Sequence, residues 1–244
     1  MKQLHDVLNE RVDAGIPVQF WLRDDDAVEP TPKLDQLLAL ADEFAVPLTL
    51  ASIPASTGTA LAERLASEER VSVAVHGWSH QNHASANEKK QELGLHRPSS
   101  LVLDELSQGL AHLSQLHEKR FVPLLVPPWN RIDALLVKQL IAIGFLGLST
   151  FGKQSSSDIA VLNTHVDVID WKGTRGGRTT SELEAEIVTQ LQSSSEPIGI
   201  LTHHLVHDDQ VWRFLEQLFA MTSNKSGISW MRIDDLLPEL RPDP

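Results

Sequence analysis

The chain of 244 residues contains no cysteine, which excludes disulfides, thiolate metal ligands and cysteine nucleophiles together. Any bound metal must rest on nitrogen and oxygen. No cluster of lysine and arginine appears, and 33 acidic residues outweigh 21 basic ones for a formal charge of −12. That balance disfavours a phosphate backbone or an anionic membrane surface as the main partner, so neither nucleic acid nor membrane is expected. No apolar stretch approaches the roughly 18 residues needed to cross a bilayer. Met1-Lys2-Gln3-Leu4-His5-Asp6 carries charges where a secretory leader needs an apolar run, and the sequence reads as cytoplasmic. Repeats and dividing linkers are absent too. Ser155-Ser156-Ser157 and Ser193-Ser194-Ser195 are short enough for surface loops, and Pro242-Asp243-Pro244 reads as a frayed end. A single domain over residues 1–244 is expected, a length ordinary for one α/β barrel.

What the chain does have is alternation. Apolar, β-branched runs recur at 17–22, 46–53, 71–75, 121–126, 145–149, 161–169, 197–202 and 228–233. Between most of them lie segments of helical spacing: Leu4, Val7, Leu8 and Val12 share a face, as do Leu34, Leu37, Leu38 and Ala41. The same holds for Leu103, Leu106, Leu110 and Leu113, and for Ile132, Leu135, Leu136 and Leu140. Strands alternating with helices imply a parallel sheet with crossover helices. Polar residues follow the C-terminal ends of the runs: Asp24 to Asp26, Ser52 and Pro54, His76, Pro127 and Pro128, Asp170 and His203. In a (β/α) barrel that end of the strands is the catalytic face.

An acidic triplet alone is more often a solvated turn or a helix N-cap. Asp24-Asp25-Asp26, however, closes an apolar run, and His76-Gly77-Trp78-Ser79-His80 closes another. Adjacent carboxylates are unfavourable unless a cation or protons compensate, and carboxylate plus two imidazoles suits a zinc-type ion. One aspartate then ligates while its neighbour takes a proton from water. His83 is a candidate accessory ligand or substrate contact beside a structural role. In Val126-Pro127-Pro128-Trp129-Asn130-Arg131, two prolines fix the backbone so that the Trp129 N–H faces a developing oxyanion, against the plainer reading of a Pro-rich turn with a packed Trp. Asp170 is expected to orient an imidazole on a neighbouring strand. His203 and His204 point to opposite faces of an extended segment, so His203 is taken as the general acid and His204 as structural or substrate-facing.

In order and spacing these pieces resemble, across about the whole chain, the polysaccharide deacetylase superfamily, also called NodB-homology or carbohydrate esterase family 4 proteins. The family's Thr-Phe-Asp-Asp-Gly motif resembles Arg23-Asp24-Asp25-Asp26-Ala27. In that register the resemblance implies Asp25 as catalytic base and Asp26 as metal ligand; a slip by one residue implies Asp24 and Asp25 instead. The family's His-Ser/Thr-x-x-His motif resembles His76 to His80, with Gly77 in place of the hydroxyl residue. Its Arg-x-Pro-Tyr/Trp-Gly motif resembles Val126-Pro127-Pro128-Trp129-Asn130, with Val126 where the family carries the arginine that sets its base; Arg131 or Arg23 are the candidates to replace it. Asp167, Asp170 and Trp171 match the Asp-x-x-Asp-Trp motif, and Leu201-Thr202-His203 the closing Leu-x-His motif.

The resemblance implies a distorted (β/α)7–8 barrel holding one divalent ion on Asp26, His76 and His80. Zinc suits this donor set best, and cobalt, nickel, manganese and iron(II) are compatible with it. It further implies a metal-dependent hydrolase that removes an acyl group, acetyl foremost, from an N-acylated sugar or a similar small intracellular amide. Asp25, His203, Asp170 and Trp129 are the catalytic candidates. Asp24, His83, Pro128, Asn130, Arg131, Trp171 and His204 are the substrate-binding candidates, with Asn87 to Glu92, His96 and Arg97 on a specificity loop. The same ligands would serve an esterase or phosphoesterase, and Val126 in the arginine's place leaves open an inactive carbohydrate-binding barrel.

Overall fold

The structure, a computed structural model, describes residues 1–154 and 157–237. The expectations for Ser155, Ser156 and the terminal Pro-Asp-Pro lie outside the described residues. Along the chain run α1 (Lys2–Asp13), β1 (Val18–Ala27), α2 (Pro32–Glu43), β2 (Leu48–Ser52), α3 (Thr59–Arg64) and β3 (Val71–His76). A longer α4 (Ser99–His117) leads to β4 (Phe121–Val126), α5 (Ala134–Val137), β5 (Gly147–Leu148) and β6 (Ala160–Val161). Then follow β7 (Val166–Asp167), α6 (Thr180–Ser193), β8 (Ile198–Thr202), α7 (Asp209–Thr222), β9 (Ile228–Trp230) and α8 (Ile233–Leu236).

Local chemistry accounts for where these helices begin. Thr31 accepts from Leu34 N–H and Pro32 occupies the first turn of α2, where its missing donor costs nothing. Thr179 and Glu182 form a reciprocal capping box at α6. The Asp208 carboxylate accepts from Gln210 and Val211 N–H at α7.

Several expected elements come out shorter, β5 and β9 among them. The apolar run 161–169 is broken between β6 and β7, where the buried Asn163 uses its side-chain oxygen to accept from Thr150 N–H (2.8 Å) and Thr150 Oγ1 (2.9 Å). The helical face from Ile132 to Leu140 reduces to the single turn of α5, capped by Asp133, before a 3-10 turn over Ile141–Ile143.

The chain groups into two compact units. The first comprises Met1–Asp25, Thr31–Leu48 and Thr164–Arg232. Its β1 pairs in parallel with β8 and β9, and β7 pairs with β8. The β1–β8 register sets Asp24 opposite Thr202. Leu4 and Leu8 of α1, Trp21, Ile187 and Phe214 are fully buried, each such side chain contributing about 1.5–3 kcal/mol.

The second unit comprises Asp26–Pro30, Thr49–Asn163 and the residues from Ile233. Here β3, β4, β5 and β6 form a parallel ladder, with His76 opposite Val126 at the ends of β3 and β4. Val102, Leu106 and Leu113 on α4 are buried and pack this helix on β3 and β4. The chain passes from the first unit to the second within β1, at the Asp25–Asp26 peptide.

Candidate metal centre and catalytic groups

In the second unit, β3 ends on His76, a side chain only 2 % exposed. Its Nδ1–H donates to Val126 O (2.9 Å); a carbonyl only accepts, so this bond fixes the tautomer and leaves the Nε2 lone pair for a ligand. Asp26, near the end of β1, adopts φ 74, and His80 adopts φ 56. Asp26 Oδ1 lies 3.2 Å from His76 Nε2 and 3.4 Å from His80 Nε2. The three ligand atoms all lie within 4.8 Å of one another.

These separations fit a metal ion. Ligands at about 2.0–2.2 Å on a tetrahedral ion stand about 3.3–3.6 Å apart, close to both distances from Asp26. Burial, joined by the neighbouring His76, lowers the pKa of His80 below its ordinary value, which favours the neutral, ligating imidazole. Of the three aspartates, Asp26 is the one that meets the two histidines.

Trp129 packs its ring 4.4 Å from that of His80. The turn that carries it follows Pro127-Pro128, places Trp129 and Asn130 at φ 55 and 56, and closes through Asn130 N–H to Pro127 O (2.9 Å). Arg131 donates to Lys90 O (2.7 Å) and, with Asn130, lines a cavity of about 730 Å³ that also takes in Lys138, Lys153 and Asn163. His83 stands outside the cluster: its N–H bonds to Gln91 O (3.0 Å). Glu92, expected on a specificity loop, is instead buried, 1 % exposed.

In the first unit, Arg23 and Asp25 share one side of β1, as alternate residues of a strand do. Arg23 Nε donates to Asp25 Oδ1 (2.9 Å) and its second nitrogen to Oδ2 (3.0 Å). Val126 therefore needs no arginine in its place for Asp25 to be gripped by a guanidinium; Arg23, not Arg131, supplies it.

Asp24 points to the other side of the strand. Its carboxylate accepts from Thr202 Oγ1 (2.7 Å) and His204 N–H (2.8 Å) and bonds to His204 Nδ1. Burial pushes its pKa up, and His204 with Thr202 more than reverses this, holding it below the usual carboxylate range. Of the two readings of His204, structural or substrate-facing, its bonds to Asp24 favour the structural one, and Asp24, expected to meet substrate, is turned to His204 instead. Both are buried, at 0 % and 1 % exposure, and they satisfy each other.

His203, next on the chain after β8, lies with Nε2 4.0 Å from Asp25 Oδ2 and its ring edge-on to Trp171 at 4.8 Å. Trp171 Nε1–H donates to Asp167 Oδ2 (2.9 Å). Burial raises the Asp167 pKa, and the nearby His203 opposes that rise. The orienting role expected of Asp170 is also corrected: its oxygens accept from Gly173 N–H (3.0 Å) and Thr174 N–H (2.9 Å). Because β7 ends at Asp167, Asp170 falls in the turn beyond, and the ring that stands against His203 is Trp171, itself bonded to Asp167.

No family model and no curated protein sequence matches the chain. Solved structures do. The Bc1960 peptidoglycan N-acetylglucosamine deacetylase aligns over 94 % of this chain and 96 % of its own, at 15 % identity and TM-score 0.61. A variant of the peptidoglycan deacetylase PdaC from Bacillus subtilis aligns over 91 % of each chain, at 15 % identity and TM-score 0.60. A family 4 carbohydrate esterase from Streptomyces lividans, solved with acetate, covers 84 % of this chain and 87 % of its own, at 14 % identity and TM-score 0.57. At such identities the likeness shows the fold, the distorted (β/α) barrel of the polysaccharide deacetylases that the motifs imply.

Proposed function

We propose that the chain is a metal-dependent deacetylase that hydrolyses the acyl–nitrogen bond of an N-acylated sugar or a similar small amide. The observation that carries this reading is the meeting of Asp26, His76 and His80 within 4.8 Å, in a fold whose solved members include an N-acetylglucosamine deacetylase. A divalent ion bound there, zinc foremost, supplies Lewis acidity toward an amide carbonyl and toward water.

The chain's own groups supply the rest. Asp25, joined to the ligand Asp26 by one peptide bond, is the general base. Each of its oxygens accepts one bond from Arg23 and keeps a further lone pair for the proton of the attacking water. As the carbonyl carbon becomes tetrahedral, the Trp129 N–H donates to the developing oxyanion, a contribution of roughly 3 kcal/mol for one such donor. His203 gives a proton to the departing nitrogen while Trp171 holds its ring. The C–N bond breaks, the carboxylic acid and the amine leave, the acid loses its proton to solvent, and the proton taken by Asp25 goes to solvent as His203 takes one back.

Zinc-loaded full-length chain incubated with N-acetyl sugars, O-acetyl sugars and phosphate esters tests the reading. Acetate released chiefly from the N-acetyl compounds supports it. Turnover confined to O-acetyl or phosphate esters would assign the same residues to an esterase or phosphoesterase, and turnover of nothing would favour an inactive binding barrel.

A further inference from the structure

The loop between the two histidines is shaped by a carboxylate from a distant stretch of chain. Glu92, 1 % exposed, accepts from Trp78 N–H (3.2 Å), Ser79 N–H (2.7 Å) and Ser79 Oγ (3.0 Å). A buried carboxylate is unfavourable unless charge-assisted hydrogen bonds satisfy it. Here one short loop provides three donors, and the loop's backbone is fixed in return.

The fit extends to Gly77. A Cβ at that position would come 2.1 Å from Glu92 Oε2 and 2.6 Å from Pro128 Cδ, and the residue adopts φ 61. Only glycine meets both demands. The hydroxyl residue expected after the first histidine is thus excluded by Glu92 from one side and Pro128 from the other. His80 follows directly on the two clamped residues, at the left-handed φ that turns its ring toward Asp26.

We propose that Glu92 is a positioning residue of the metal centre: by clamping the Trp78-Ser79 backbone it sets His80 against Asp26 and His76 before an ion arrives, and so sets metal affinity. Glu92 is not among the three ligating groups; it acts through His80. This rests on the metal-site part of the reading above and is independent of which substrate is hydrolysed. Supporting groups of this kind are worth about 10–100-fold in metal affinity.

The test uses full-length chain stripped of metal and titrated with zinc against a chromophoric chelator, with the melting temperature of each stripped form measured in parallel. Glu92→Gln keeps the volume but presents an NH2 group to the Trp78 N–H, Glu92→Ala removes the clamp, and Ser79→Ala removes one of its three bonds. Expected is zinc affinity about 10–100-fold weaker in Glu92→Gln and Glu92→Ala, a smaller loss in Ser79→Ala, and a stripped Glu92→Gln that melts as wild type does. Should Glu92→Ala fail to fold, Glu92→Gln decides. Wild-type zinc affinity in Glu92→Gln overturns the proposal alone, as does a stripped Glu92→Gln that has lost its fold. A wild-type chain that binds no zinc overturns the metal reading and this inference with it, whereas one that binds zinc normally but hydrolyses nothing sinks only the deacetylase reading.

Discussion

Arg23 and Asp25, two residues apart on β1, form a buried two-point ion pair with side chains 0 % and 3 % exposed. Removing one member of such a pair leaves an uncompensated buried charge, typically about 3–5 kcal/mol of stability. Arg23→Lys keeps the charge while losing the planar two-point grip. It is therefore expected to stay folded, to hold metal as wild type does, and to lose kcat rather than raise KM, by about 10²-fold or more if Asp25 is the base. Steady-state kinetics beside elemental analysis checks this; unchanged kcat removes Arg23 from the mechanism.

Replacement of His203 by alanine separates acid catalysis from metal binding. Its ring nitrogen lies 4.0 Å from Asp25, and it is not among Asp26, His76 and His80, the three groups that could hold a metal. Turnover is expected to fall by about 10²–10⁴-fold with zinc stoichiometry unchanged. Loss of metal together with activity would contradict the assignment of roles.

The two aspartates of the Asp167–Asp170 segment are predicted to behave oppositely. Asp170→Ala removes bonds to Gly173 and Thr174 in an exposed turn and is expected to leave kcat near wild type. Asp167→Ala frees Trp171 Nε1, loosens the ring that flanks His203, and is expected to lower kcat. The reverse ranking of kcat would restore the orienting role to Asp170.

Much of this was readable in the chain, and what was not has physical causes. Strand and helix alternation follows from apolar periodicity. Asp26 and His76 stand out because each lies at or beside a strand end, and His80 because it follows His76 by four residues. Alternation also brings Arg23 beside Asp25, yet only the structure decides against Arg131, whose guanidinium binds Lys90 O. The apolar run to Ile169 hides the end of β7 at Asp167, although Gly173, Gly176 and Gly177 signal the turn that Asp170 holds. Asp24 and His204 look functional by type; the β1–β8 register sets Asp24 opposite Thr202, and the turn after β8 brings His204 onto the Asp24 carboxylate. Glu92 leaves no local trace, since its donors lie 13 and 14 residues away.

Stability is predicted to weaken in mild acid. Burial lowers the pKa of His207 from 6.5 to about 4, and that of His117 likewise to about 4. In the unfolded chain each takes a proton below pH 6.5, while in the folded chain it stays neutral until about pH 4. Unfolding therefore gains protons, and stability falls as pH drops from about 6.5 toward 4, by on the order of 3 kcal/mol per group. Urea melts at pH 7 and 5 measure the slope. His207→Leu should flatten it; an unchanged slope would show that His207 titrates normally in the folded state.

The most direct measurement is a crystal structure of the full-length chain grown with zinc, located by anomalous scattering at the zinc edge. The account predicts one ion bonded at about 2.0–2.2 Å to Asp26 Oδ1, His76 Nε2 and His80 Nε2. An ion held by other residues, or none in a crystal where those three side chains point apart, would contradict it.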